Sequence, residues 1–231
     1  MYDVAFCIPT TSHNREWISS DDSYLHRILL DSCHNYSNDV HLTFYIGFDQ
    51  DDEIFSSASQ RNKLNEEYPQ FHIEWIPFSP EKGNVVRIWN KLAEIAVENG
   101  HTYLMILGDD IKLPKDSGWL NLFIKNLKKQ NNIGWAAGWS NNDNIATQFL
   151  IHKTHLDIFG FVFPPQIKNW FCDNWMNDIY PAKYKSWRKD YHLLNVGGAP
   201  RYQPINDQNL CQMLVKRHRS KLTRHLNLII S

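Results

Sequence analysis

The chain has 231 residues, enough for one large or two small domains. Hydrophobic residues make up 42% of it, so a sizeable core is available, and 13% are aromatic, nine of them Trp, which suits ring stacking and dense packing alike. A net charge of −1 excludes any global attraction to nucleic acid or to an anionic membrane.

Val4 to Ile8 reads as a first buried strand, closed by Pro9, Thr10, Thr11 and Ser12. A helix is expected over Asp22 to Cys33, with Leu25, Ile28 and Leu29 on one apolar face. Val40 to Phe48 reads as a second strand that runs into Asp49-Gln-Asp-Asp52. A polar helix over Ser56 to Tyr68 leads to a third strand, Phe71 to Ile76, and then to a Pro- and Gly-containing loop that ends at Gly83. Asn84 to Glu98 carries the strongest helical stripe (Val85, Ile88, Trp89, Leu92, Ile95, Ala96), and Asn99-Gly100 stops it. The apolar run Tyr103 to Leu107 breaks off at Gly108, Asp109 and Asp110, and a helix follows over Trp119 to Lys129. This β-α alternation predicts a mostly parallel sheet in one α/β domain, 1–231, flanked by helices.

The second half predicts mixed strands at Ile133 to Trp139 and Gln148 to His152, around the polar loop Ser140 to Asn144. An aromatic loop, Phe159 to Pro165, precedes a helix that opens between Trp170 and Tyr180. His152 and His155 read as packing or surface histidines rather than metal ligands. After Asp207 there are no acids but five cations, Lys216, Arg217, Arg219, Lys221 and Arg224; this leaves the preceding part near −6 and marks a basic segment that is either solvated or set against an acidic surface. Cys7, Cys33, Cys172 and Cys211 form no CxxC pair, which argues against a zinc site and fits the reducing cytoplasm. Neither a signal peptide nor a stretch of transmembrane length is visible.

Three strand ends carry polar groups: Pro9, Thr10 and Thr11; Asp49; and Asp109 with Asp110. In a parallel sheet such ends share one edge, where ligands of open α/β folds bind. Two adjacent carboxylates where a core strand surfaces suit a hard cation such as Mn²⁺ or Mg²⁺. Each residue also has a plainer reading: a turn for Gly-Asp-Asp, loop hydrogen bonding for Thr10 and Thr11, helix capping for Asp49.

The ordered set resembles the GT-A class of glycosyltransferases, in particular the large inverting family built on a nucleotide-diphospho-sugar-binding α/β domain. The matching pieces are the first strand with its Pro loop, the second strand ending in Asp49, the helix-opening run from Gly83 through Asn84 and Arg87 to Asn90, the Gly108-Asp109-Asp110 turn with Pro114, and Phe159-Gly-Phe161 followed by Cys172, Asp173 and Trp175. The match runs over roughly residues 3 to 180. Some glycosyltransferases of large DNA viruses are similar in size and style, in which case the compartment is the host cytoplasm. The resemblance implies a nucleotide-binding half over 1–114 and an acceptor half over 115–231. It implies donor contacts from Pro9, Thr10, Thr11, Asp49, Asn84, Arg87 and Asp109, and a metal held by Asp109 and Asp110. It also implies Asp173 as general base of an inverting transfer from a UDP- or GDP-sugar to a glycan or glycoconjugate, with Arg87 or Lys82 assisting the leaving group. For Asp173 the plainer reading is a helix N-cap.

The chain departs from the pattern at two places: Leu107 stands where the first metal acid belongs, and Cys172 precedes the base in place of Glu. Two rivals share the core. A sugar-phosphate nucleotidyltransferase would carry a Gly-rich basic loop after the first strand, where this chain has Pro9-Thr-Thr-Ser-His13. A non-catalytic carbohydrate-binding domain would tolerate Leu107.

Overall fold

The computed structural model describes residues 2–36, 40–198 and 203–230. Its centre is a seven-stranded sheet. In spatial order the strands are β3 (His72–Phe78), β2 (Val40–Asp49), β1 (Tyr2–Pro9), β4 (Tyr103–Ile106), β7 (Phe149–His152), β6 (Trp135–Trp139) and β8 (Lys185–His192). The first four run parallel, β7 runs antiparallel to both β4 and β6, and β8 pairs parallel with β6. The expected α/β class and mostly parallel sheet are therefore present, with the mixed strands in the second half.

β1 is buried on both faces, as a central parallel strand must be. Ala5 and Cys7 point into one core layer, and Val4, Phe6 and Ile8 into the other. The first layer is covered by α3 (Val85–Glu98), α5 (Thr154–Phe159), α6 (Cys172–Ile179) and α7 (Gln208–Ile230), the second by α2 (Ala58–Glu67) and α4 (Gly118–Lys129) with the helical turns before them. A two-stranded ribbon, β5 (Ile111–Lys112) with β9 (Leu194–Asn195), stands apart from the main sheet.

Three expectations differ. The helix expected over 22–33 is split into a capped turn Ser20–Asp22, a wide π-helical stretch Leu25–Leu30 and a short α1 (Asp31–Cys33). The wider winding turns Leu30 into the core beside Leu25 and Leu29 and leaves Ile28 half-buried. β8 was not anticipated because Lys185 to His192 is mostly polar, as an edge strand tolerates. The basic C-terminal segment is helix α7, whose buried Cys211, Leu214, Val215, His218 and Leu222 fall on one face. That face packs on α5 and α6 and leaves the charges outside.

Candidate active site

The C-terminal ends of β1, β2 and β4 open on one side of a cleft of about 700 Å³. Its other wall comes from the loop after β6 (Ser140, Asn141, Asn142), from Gln148 and from Trp170 and Asp173 at the head of α6. Pro9, Thr10, Thr11, Asp49, Asn84, Asp110 and Asp173 thus meet around one space.

The floor is built by hydrogen bonds between strand ends. Thr10 N–H donates to Gly47 O (2.8 Å), and Thr10 Oγ1 donates to Asp109 Oδ2 (2.7 Å). Asp109 is fully buried and does not line the cleft. Its neighbour Asp110 does, and is held from behind where Asp110 O accepts from Val196 N–H (3.0 Å). A side chain at Gly197 would collide with the Asp110 carboxylate, so the loop after β9 needs glycine to close on it. The two adjacent acids therefore have different stations: Asp109 braces the β1 loop from below, and Asp110 presents its carboxylate. Leu107, at the position of the missing first acid, is buried, and Leu107 O accepts from Trp89 Nε1 (3.0 Å).

At the β1–β2 end, His13, Asp49 and Asp51 bring their ligand atoms within 4.8 Å of one another. Partial burial, and then the nearby Asp51 charge, raise the Asp49 carboxyl above its ordinary value. His13 Nε2 lies 3.2 Å from Asp51 Oδ1. Neither His13 nor Asp51 stood out in the sequence, although the acid-rich run after β2 was their signal.

Arg87 is turned away from the cleft. Its guanidinium stacks 5.6 Å from the Phe78 ring centre, lies 3.4 Å from Glu81 and donates to Ser79 O. Asn84 Oδ1 accepts from Arg87 N–H (3.3 Å) as the cap of α3, and Asn84 Nδ2 donates to Glu81 (2.7 Å). Both residues organise the Ser79–Gly83 loop, which leaves Lys82 as the cationic side chain of that loop on the cleft wall.

Asp173 sits in the first turn of α6 but does not cap it; Phe171 occupies the cap position, in a left-handed conformation (φ 72°) that bulky side chains rarely adopt. Among the described residues, the side-chain partner of the Asp173 carboxyl is the Cys172 thiol, at 3.9 Å. Burial with so little hydrogen bonding pushes this carboxyl up to about 7. Asp178 is exposed and does not line the cleft; its carbonyl accepts from Arg219 on α7 (3.2 Å).

Trp170 is half exposed on the cleft wall. Its backbone is fixed by Asn169, a buried amide that reading by residue type overlooked. Asn169 Nδ2 donates to Gly83 O (2.8 Å), and Asn169 Oδ1 accepts from Trp170 N–H (2.7 Å) and Ile205 N–H (3.1 Å). His155 is buried far from any ligand role: it bonds Tyr180 Oη (2.8 Å) and Val162 O (2.9 Å), and burial lowers its pKa to about 4. His152 bonds Thr154 instead, so the two histidines do not share a site.

No protein-family model and no curated protein sequence matches the chain. Its fold does match solved structures. S. aureus TarS superposes at a TM-score of 0.58 with 10% identity, over 93% of this chain and 39% of TarS. The mannosyltransferase PcManGT from Pyrobaculum calidifontis, solved with GDP-Man and Mn²⁺, gives 0.59 with 11% identity, over 86% of this chain and 58% of that one. A cytidylyltransferase from Leptospira borgpetersenii gives 0.52 with 10% identity, over 96% of both chains. The chain thus spans from 39% to 65% of the length of the TarS structures and 58% of PcManGT. These likenesses define the fold as GT-A-like, a single α/β domain with the cleft at the C-terminal edge of its parallel strands.

Proposed function

We propose that the chain is a glycosyltransferase that moves a sugar from a nucleoside-diphosphate sugar to an acceptor hydroxyl with inversion. The observation that carries this reading is the placement of the Asp173 carboxyl on one wall of the cleft whose other wall is made by three strand ends. A nucleoside seated against Thr11, His13 and Asp49 directs its diphosphate along Gly108 and Asp110. The anomeric carbon then lies toward Asp173, which takes the proton of the attacking hydroxyl. Trp170 offers a ring face to a sugar, and Asn141, Asn142 and Gln148 offer amides to its hydroxyls. Lys82 is placed to meet the leaving diphosphate.

A hard divalent cation suits carboxylate oxygens, which the cleft offers at Asp110 and, apart from it, at Asp49 and Asp51. Asp110 is the residue we place on the metal, with Asp109 supporting it from below. Bound there, Mn²⁺ or Mg²⁺ would act as a Lewis acid toward the departing diphosphate.

A second reading, nucleotidyl transfer to a sugar phosphate, draws on the cytidylyltransferase of matching length. One set of measurements separates the two. Calorimetric titration with UDP- and GDP-sugars, with Mn²⁺ and with EDTA, is expected to show metal-assisted donor binding, weakened in Asp110→Asn. Release of pyrophosphate from a nucleoside triphosphate and a sugar phosphate would instead establish the second reading. Normal metal-assisted binding in Asp110→Asn would remove Asp110 from the metal.

A further inference from the structure

One carboxylate rich in hydrogen-bond donors does not line the cleft. Asp52 is fully buried, and five donors converge on it. Oδ2 accepts from Thr11 Oγ1 (3.0 Å) and Ser12 N–H (2.6 Å), both on the loop after β1. Oδ1 accepts from Ser12 Oγ (2.8 Å) on the same loop, and from Ile54 N–H (3.1 Å) and Phe55 N–H (2.8 Å) on the turn after β2. The Asp52 backbone belongs to the turn that carries the cleft acids, since Asp52 N–H donates to Asp49 O (3.0 Å).

The two loops joined in this way supply opposite sides of the nucleoside end. Thr11 and His13 come from one, Asp49 and Asp51 from the other. His13 backbone N–H in turn donates to Thr11 Oγ1 (3.1 Å), so the His13 backbone is held through the hydroxyl that Asp52 holds. A carboxylate suits this task because it offers two acceptor oxygens and no donor. A carboxamide has one acceptor oxygen and would set an N–H₂ against one of the two loops.

We infer that Asp52 is a positioning residue for donor binding: it fixes the distance between the β1 and β2 loops, and so the shape of the nucleoside end, without touching the nucleotide. This rests on the donor reading given above. It adds a residue that no donor contact would reveal.

The test compares Asp52→Asn and Ser12→Ala with the unaltered chain in three measurements. The first is amide hydrogen exchange without ligand. The Asn oxygen can keep Ile54 and Phe55, whereas Ser12 N–H loses its acceptor, so its exchange is expected to quicken by about 10-fold or more. The second is donor affinity, expected to weaken by about 10-fold in Asp52→Asn and by less in Ser12→Ala. The third is kcat at saturating donor, expected to stay within about 3-fold, because the transition-state groups on the Asp173 wall are untouched. A general loss of fold would instead lower kcat and affinity together. If Asp52→Asn does not fold, Ser12→Ala carries the test, since it removes one donor and leaves the buried carboxylate with its other four.

Unchanged donor affinity in Asp52→Asn with quickened Ser12 exchange, or in Ser12→Ala, whose residue-12 N–H keeps Asp52 Oδ2 and so needs no change in exchange, would overturn the positioning role. A wild-type chain that binds no nucleotide sugar would sink the functional reading instead. Exchange in Asp52→Asn then decides the loop clamp alone: unchanged Ser12 exchange refutes it, quickened exchange upholds it.

Discussion

A carboxyl whose pKa lies near 7 is half protonated at neutral pH, and a general base works only without its proton. Turnover by this chain is therefore expected to climb as pH rises through about 7, following ionisation of Asp173. Asp173→Asn should cut turnover by about 10²-fold or more and abolish that limb while donor affinity holds. Loss of activity in Asp178→Asn with normal turnover in Asp173→Asn would move the base one turn along α6. Product with retained anomeric configuration would reject the base mechanism itself. At this scale the sequence was half legible. The pair Asp109-Asp110 stands out in the sequence, but residue order does not tell which acid lines the cleft. Both lie in the turn between β4 and β5, where Thr10 holds Asp109 beneath and Asp110 lies on the cleft beside Gly197. Arg87 misled for a related reason: its length lets it fold back onto Phe78 and Glu81, and nothing in residue order records that.

Amides, buried or half-buried, join the elements carrying the site. Asn90 on α3 is one such joint: Nδ2 donates to Phe163 O (2.8 Å), and Oδ1 accepts from Val162 N–H and Phe163 N–H (both 2.9 Å). Asn177 on α6 does the same for the loop at Ala146, and it also donates to the Asp173 carbonyl (2.8 Å). Asn90→Ala leaves two backbone donors and a carbonyl without partners and is expected to cost about 2 kcal/mol. The loss would be read as a lower urea midpoint with an unchanged slope. A midpoint equal to that of the unaltered chain would show that water replaces the amide at no cost. Strands buried on both faces were plain in the sequence because apolar runs leave little choice. The edge strand β8 and the wide turn Leu25–Leu30 were not, since edges relax the apolar pattern and a small change in winding moves the buried set by a residue.

Taken over the whole molecule, two titrating groups, the buried His155 and the half-buried Asp173, pull stability in opposite directions. The His155 pKa is lowered from 6.5 to about 4, so the folded chain resists a proton that the unfolded chain accepts. Its contribution is present above pH 6.5 and is lost as pH falls toward 4. The Asp173 pKa is raised from 3.8 to about 7, so its contribution is full below 3.8 and is lost as pH rises to 7. Between about pH 4 and 6.5 the two slopes oppose each other. The penalty of His155→Gln, measured by urea unfolding, is therefore expected to shrink between pH 8 and pH 5; a penalty that grows on acidification would contradict the assignment. The order of the sheet has a further consequence, for synthesis rather than catalysis. β1 emerges first, yet it lies between β2 and β4, and the Thr10–Asp109 bond spans 99 positions. A nascent chain that has not yet reached β4 can form β1, β2 and β3 but leaves one edge of the largely apolar β1 open. Exposed edges of this kind recruit other chains. The arrival of Tyr103–Ile106 thus completes the floor of the cleft and covers that edge of β1, and β4's own apolar edge is covered in turn only when Phe149–His152 arrives.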